Sequence, residues 1–238
     1  MTKDRRSQFG KWMMELLGTG LLVLTIQLSF GLGVLQGPLA IGGVLISLVY
    51  TGDPISGAHY NPAVSLAIML RGNMDRGEML LYWVFQIVGG FLGALLGGMI
   101  GGTFVAISIG EDYTGLQAFW AEAAFTFLLC FVVLGVATHS DASDNPYYGA
   151  AIGLVVMSGA ITVGPISGGA FNPAVALGLG LAKTDVVNMV YIASTVAANL
   201  VGGASAAAVF YLVAPDQFVG TAREVRSKVG ASETTNLV

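Results

Sequence analysis

The sequence predicts an all-α membrane protein with six transmembrane helices and two re-entrant half-helices, arranged as an inverted repeat. Three observations lead there. The 238 residues are 55% hydrophobic and only 10% charged, with a mean hydropathy of +0.76. Soluble domains carry about 25% charged residues, so this chain is better solvated by lipid than by water. Residues 56–66 read SGAHYNPAVSL, and 111 residues later 167–177 read SGGAFNPAVAL, identical at seven of eleven positions without a gap. Each copy opens an apolar stretch that is too short to cross a bilayer.

Taken in order, the chain begins with a basic stretch and then turns hydrophobic. The apolar run is too long for a signal peptide and lacks a clear cleavage site, so an uncleaved first span is expected. From residue 12 to 52 the only charge is Glu15, and two spans of about 20 residues each fit there, joined near residues 31–37. Residues 53–60 read as a loop into the first repeat copy, with Asp53-Pro54 and Ser56-Gly57 as breakers. Asn61 is a good helix cap, Pro62 suits the first helical position, and Arg71 ends the stretch. A helix over 61–70 is roughly 15 Å long, half the hydrocarbon thickness.

Residues 71–78 form a charged loop. Residues 79–110 are uncharged and hold one span plus a connection, with Gly89, Gly93, Gly97 and Gly101 at spacing four making one face flat for helix packing. Residues 119–139 are the next span, interrupted only by Glu122, and 141–146 an acidic turn. A further span includes 150–163. Residues 164–171 repeat the loop, 172–182 repeat the short helix, and Lys183 ends it. Residues 186–213 are the last span, and 214–238 a polar tail. The halves, about 10–112 and 113–213, form a single domain. Three spans per half make the second half enter the membrane from the opposite side. With the amino terminus inside, Lys3, Arg5, Arg6, Lys11, Arg71, Arg76, Arg223, Arg226 and Lys228 are cytoplasmic and only Lys183 lies outside. This asymmetry places both termini in the cytoplasm, and a plasma or inner membrane is expected ahead of an organelle membrane.

Two half-helices entering from opposite faces fill the core only if their amino ends meet near its centre. The loops before them would offer backbone carbonyls, and Asn61 and Asn172 would offer amide donors. Each helix start carries roughly half a positive charge, which opposes cations at the midpoint. Acceptors in rows with two central donors suit water or a polyol.

On these residues the chain resembles the aquaporin (major intrinsic protein) family, over about residues 10–213. The resemblance rests on two Asn-Pro-Ala motifs, Asn61, Pro62, Ala63 and Asn172, Pro173, Ala174, with SGAH before the first. It implies one pore per subunit and a homotetramer. It also matches Asn61 and Asn172 to the pore asparagines, and Glu15 and Glu122 to the buried glutamates that brace the pore loops. Ile41, Ala160, Gly169 and Val175 fall on the outer-constriction positions. Val175 stands where water-selective and glycerol-conducting members carry arginine, and Ala176 where glycerol facilitators carry aspartate. The implied constriction is wide, apolar and uncharged.

The expected function is a passive channel for water or small uncharged solutes of the glycerol, urea, ammonia or peroxide class. The alternative is a weakly conducting structural subunit of a larger membrane complex. No nucleophile, Cys/His metal spacing or phosphate-cradling loop suggests an enzyme, a metal, a cofactor or a nucleic-acid partner. The lone Cys130 reads as a packing residue. His59 reads as a hydrogen-bonded loop histidine, His139 as a solvated helix end, Asn199 as an interhelical hydrogen bonder, and Trp12 and Trp83 as interface residues.

Overall fold

The computed structural model describes residues 3–142, 144–184 and 188–218. The side chains of Lys3, Arg5 and Arg6, together with Val186, Arg223, Arg226, Lys228 and the tail beyond 218, lie outside the described residues. The helices are α1 (Lys3–Gly31), α2 (Gly37–Ser56), α3 (Pro62–Arg71), α4 (Arg76–Gly101), α5 (Gly115–Ala137), α6 (Tyr148–Thr162), α7 (Gly164–Ser167), α8 (Pro173–Lys183) and α9 (Met189–Val213). Their starts follow capping chemistry. The Asp75 carboxylate accepts the Glu78 amide at 2.9 Å, which sets α4 a few residues earlier than the apolar run suggests. Thr114 and Gln117 close a capping box at the head of α5.

From Ser7 onward α1 is long and apolar enough to cross a membrane, as are α2, α4, α5 and α9. Helix α6 has only 15 residues, but a single residue, Val163, separates it from α7. The pair α6–α7 occupies in the second half the place of α2 in the first, and both end in Pro-Ile-Ser. Six spans and two half-helices result.

Packing follows the repeat. Helix α1 lies along α4, α5 along α9, and α2 along α6. The half-helices cross over: α3 packs on α9 and α8 on α4, so each is held mainly by the other half. Small residues permit this approach. A Cβ on Gly90 would stand 2.6 Å from the Ala174 carbonyl oxygen, and one on Gly203 would stand 2.6 Å from that of Ala63. Gly89 and Gly93 press in the same way on the α1 backbone at Leu16 and Gly20. After α4 the chain runs without helix from 103 to 110. It is tied down by Gln27 Nε2 to the Thr103 carbonyl (2.9 Å), Asn188 Nδ2 to the Ile107 carbonyl (2.7 Å) and the Gly110 amide to the Ile166 carbonyl (3.0 Å).

The expectation for the two loops needs correction. Residues 53–56 and 164–167 are helical, not loop. Pro54 removes only its own amide from the α2 ladder, and the Gly57 amide still closes on the Asp53 carbonyl at 3.0 Å. The helix stops instead at Gly57, whose φ of 84° is the left-handed terminator. In the second half Pro165 sits in the first turn of α7, where a missing N–H costs nothing. Trp83 is half-buried, and its indole N–H donates to the Pro62 carbonyl at 2.9 Å.

Candidate functional site

The loops that precede the two short helices are therefore four residues each, 57–60 and 168–171. Both are rich in left-handed backbone: Ala58, Tyr60 and Phe171 have φ of 49°, 50° and 51°. For residues bearing a Cβ that conformation costs about 1–2 kcal/mol each. It persists only where the surroundings over-determine it.

The buried glutamates do so. Glu15 Oε1 accepts the Ser56 hydroxyl (2.7 Å) and the His59 amide (3.0 Å), while Oε2 accepts the Tyr60 amide (2.7 Å) and Gln86 Nε2 (2.7 Å). Glu122 repeats the pattern. Its Oε1 accepts the Ser167 hydroxyl (2.8 Å) and the Ala170 amide (2.9 Å), and its Oε2 the Phe171 amide (2.8 Å) and Asn199 Nδ2 (2.8 Å). Both carboxylates are fully buried, so these bonds replace their hydration. The far ends of the loops are held by tyrosines: Tyr82 donates to the Ser56 carbonyl (2.7 Å) and Tyr191 to that of Ser167 (2.5 Å).

Each asparagine does two jobs. The side-chain oxygen of Asn61 accepts the Ala63 amide at 2.8 Å, and that of Asn172 accepts the Ala174 amide at 2.9 Å, capping α3 and α8. The amide nitrogens cross over. Asn61 Nδ2 donates to the Phe171 carbonyl (2.8 Å) and Asn172 Nδ2 to the Tyr60 carbonyl (2.9 Å). Each asparagine is thus tied to the residue just before the other, which brings the two helix starts together. An amide group has two N–H donors, so one remains on each for another acceptor. Two partial positive ends also converge there.

Beside this junction runs a cavity of about 200 Å³. Asn61 and Asn172 line it, with Ile41, Ala160, Gly169 and Val175 on the side toward the start of α2 and Asp53, Asn73, Thr138 and Tyr148 toward its end. Pro62, Ala63, Pro173 and Ala174 are buried in the crossing behind it. His59 also lines the cavity, and its Nδ1 pairs with the Ser65 hydroxyl at 3.0 Å. His139 follows α5 and accepts the Asp141 amide at 3.2 Å. Among the described residues no three His, Cys, Asp or Glu side chains form a group able to hold a metal.

Sequence reasoning missed Gln86, which joins Glu15 to the Ser65 hydroxyl (3.1 Å). Its signal was a lone amide in an uncharged run. It also missed Ser56 and Ser167, although both copies of the repeat carry serine at that place. Asn199 of α9 donates across helices to both Glu122 (2.8 Å) and Thr126 (2.9 Å) of α5.

The profile of the family described as Major intrinsic protein matches residues 5–211 and 111–237. The chain belongs to the major intrinsic protein family. Among its relatives, "Probable aquaporin AqpM" of Archaeoglobus fulgidus is 30% identical over 233 residues, covering 87% of this chain and 94% of that one. "Probable aquaporin NIP-type" of Nicotiana alata is 31% identical over 167 residues, covering 68% of this chain but only 60% of the relative's length. The X-ray structure of the aquaglyceroporin from Plasmodium falciparum shares the fold, with a TM-score of 0.79 at 22% identity over 89% of this chain and 99% of that one. In this chain the two residues after the second Asn-Pro-Ala motif, Val175 and Ala176, are both buried and uncharged, and Val175 meets the cavity.

Proposed function

We propose that the protein is a passive membrane channel for water and small uncharged solutes, with the cavity beside Asn61 and Asn172 as its conduit. The reciprocal bonds from each asparagine to the carbonyl before the other carry this reading. They leave one donor per amide beside the cavity, next to two converging helix starts. A molecule with both hydrogen-bonding senses can exchange its water contacts for these groups. A cation meets positive ends instead.

Ile41, Ala160, Gly169 and Val175 form the outer constriction in this reading. With two side chains no larger than a methyl group and no charge, it does not enforce strict water selectivity. Solutes of the glycerol, urea, ammonia or peroxide class pass as well. Glu15 and Glu122 brace the loops and carry no proton across. The single channel domain assembles as a homotetramer and has both termini in the cytoplasm, as the placement of Lys11, Arg71 and Arg76 against Lys183 supports.

Stopped-flow shrinkage of proteoliposomes, run with water and glycerol side by side, tests the reading. Rates well above those of empty liposomes are expected for both. A rate equal to bare lipid for every solute would leave the chain a structural subunit of a larger assembly.

A further inference from the structure

One end of the cavity differs in character from the rest. Among the described residues that line it, Asp53 is the only Asp, Glu, Lys or Arg. It stands in the last turn of α2, half-buried, on the cytoplasmic side in the orientation proposed above. No lysine or arginine pairs with it among the described residues. Arg71 does not line the cavity: its guanidinium donates to the Thr138 carbonyl at 3.4 Å and lies over the Phe218 ring at 4.9 Å.

Tyr148 lines the same end of the cavity, packed against Tyr50 one turn before Asp53 on α2. The Tyr148 ring is held edge-on by Tyr50 at 5.1 Å and 70°. Tyr50 is itself anchored, donating to the Pro146 carbonyl at 2.7 Å and accepting the Ala150 amide at 3.3 Å. The nearby walls, Val49 and Ile152, are apolar.

The geometry points to a binding site at this inner end for a small alkylammonium cation, held by Asp53 and Tyr148. The ammonium group donates to a carboxylate that pairs with no lysine or arginine among the described residues. The alkyl part rests on the tyrosine ring and the aliphatic walls, where an aromatic face attracts cations further. Asp and Tyr together favour such a cation over sodium, whose tight hydration an apolar wall cannot replace. The site is a dead end. The two helix starts at the asparagines repel a cation approaching from this side, so the bound ion stays and obstructs the file. That consequence for flux rests on the channel reading; the binding itself does not.

Methylammonium, almost wholly protonated at pH 7, is the probe, and sodium chloride at equal concentration the control. Saturation-transfer NMR on its methyl signal, with the full-length protein in detergent, reads binding directly. Half-saturation in the millimolar range is expected for one partly exposed ion pair with an aromatic neighbour. Asp53→Asn should abolish the signal, and Asp53→Glu should retain it. Tyr148→Leu, which leaves the carboxylate in place, should weaken it by about threefold or more. It also serves if Asp53→Asn does not fold.

In proteoliposomes loaded with methylammonium, water efflux through the unmutated protein should slow by about half or more, and the slowing should fade as sodium chloride screens the pair. Absence of binding to the unmutated protein overturns the inference, as does equal binding by Asp53→Asn. Binding without any slowing of a conducting channel also overturns it, because the site would then lie off the conduit. Should the protein conduct nothing, the channel reading fails on its own and the NMR measurement still decides the site.

Discussion

Glu122→Gln isolates what the buried carboxylate contributes. In the native protein its two oxygens receive four donors: the Ser167 hydroxyl and the Ala170 amide on one, the Phe171 amide and Asn199 Nδ2 on the other. Glutamine keeps the shape but turns one oxygen into an NH2 group, which then faces two donors. The less damaging placement is opposite Asn199, whose Oδ1 has no partner, because that amide can flip and accept. The Phe171 amide still loses its acceptor, and the remaining bonds lose their charge. A stranded buried donor costs about 1–3 kcal/mol, and a charged hydrogen bond is worth about 1 kcal/mol more than a neutral one. The expected loss is therefore about 2–4 kcal/mol.

The loss falls on a loop whose Phe171 already sits at φ 51° and whose carbonyl holds Asn61. With about 2–4 °C per kcal/mol for a chain of this size, thermal unfolding in detergent should drop by roughly 4–16 °C. Water permeability per folded protein should fall by about tenfold, the equivalent of 1.4 kcal/mol in the population of the ordered loop. Glu122→Asp, which keeps the charge but retracts it, should lie between. A Glu122→Gln protein with native unfolding temperature and native flux would refute the bracing argument.

Three further substitutions probe other parts of the site. Val175→Arg should lower glycerol flux more than water flux in paired stopped-flow traces, since it adds bulk and charge to an apolar constriction; equal losses, or none, would remove Val175 from the conduit. Asn61→Asp replaces the donor to the Phe171 carbonyl with a carboxylate between two helix starts, and cation conductance in planar bilayers should rise above background. Unchanged conductance in a folded variant would count against electrostatic exclusion there. Gly203→Val places a side chain where even a Cβ would stand 2.6 Å from the Ala63 carbonyl, and overpacking of this kind costs about 1–3 kcal/mol. Its unfolding temperature should fall, and a native value would mean that α3 and α9 can part without cost.

What could be read from the sequence, and what could not, divides along the range of the forces involved. The long helices were legible because lipid excludes charge: Lys11, Asp53, Arg71, Glu111 and Lys183 bound apolar runs whose lengths the bilayer dictates. The half-helix starts were legible because capping is local, and Asn-Pro states it within two residues. The α2 terminus was not. Pro54 and Gly57 are both breakers, three residues apart, and sequence alone does not say which one the backbone obeys. The packed helix kept its turn at Pro54 and stopped at Gly57.

Gln86 was missed for a different reason. An isolated amide in an apolar run has no local meaning until the fold puts Glu15 at 2.7 Å and Ser65 at 3.1 Å from it. Asp53 follows the same logic and carries it further. In the sequence it looked like one more polar residue in a loop. Because the helix instead runs on through Ser56, Asp53 lines the cavity, and as the one Asp, Glu, Lys or Arg among the described lining residues it makes the two approaches to the asparagines unequal. The inverted repeat makes the backbone nearly symmetric about its centre. The position that matches Asp53 in the second half, 111 residues on, is Gly164, so the asymmetry lies in side chains that the two halves do not share. The uneven charge along the cavity therefore comes from a residue, Asp53, that the two halves do not share.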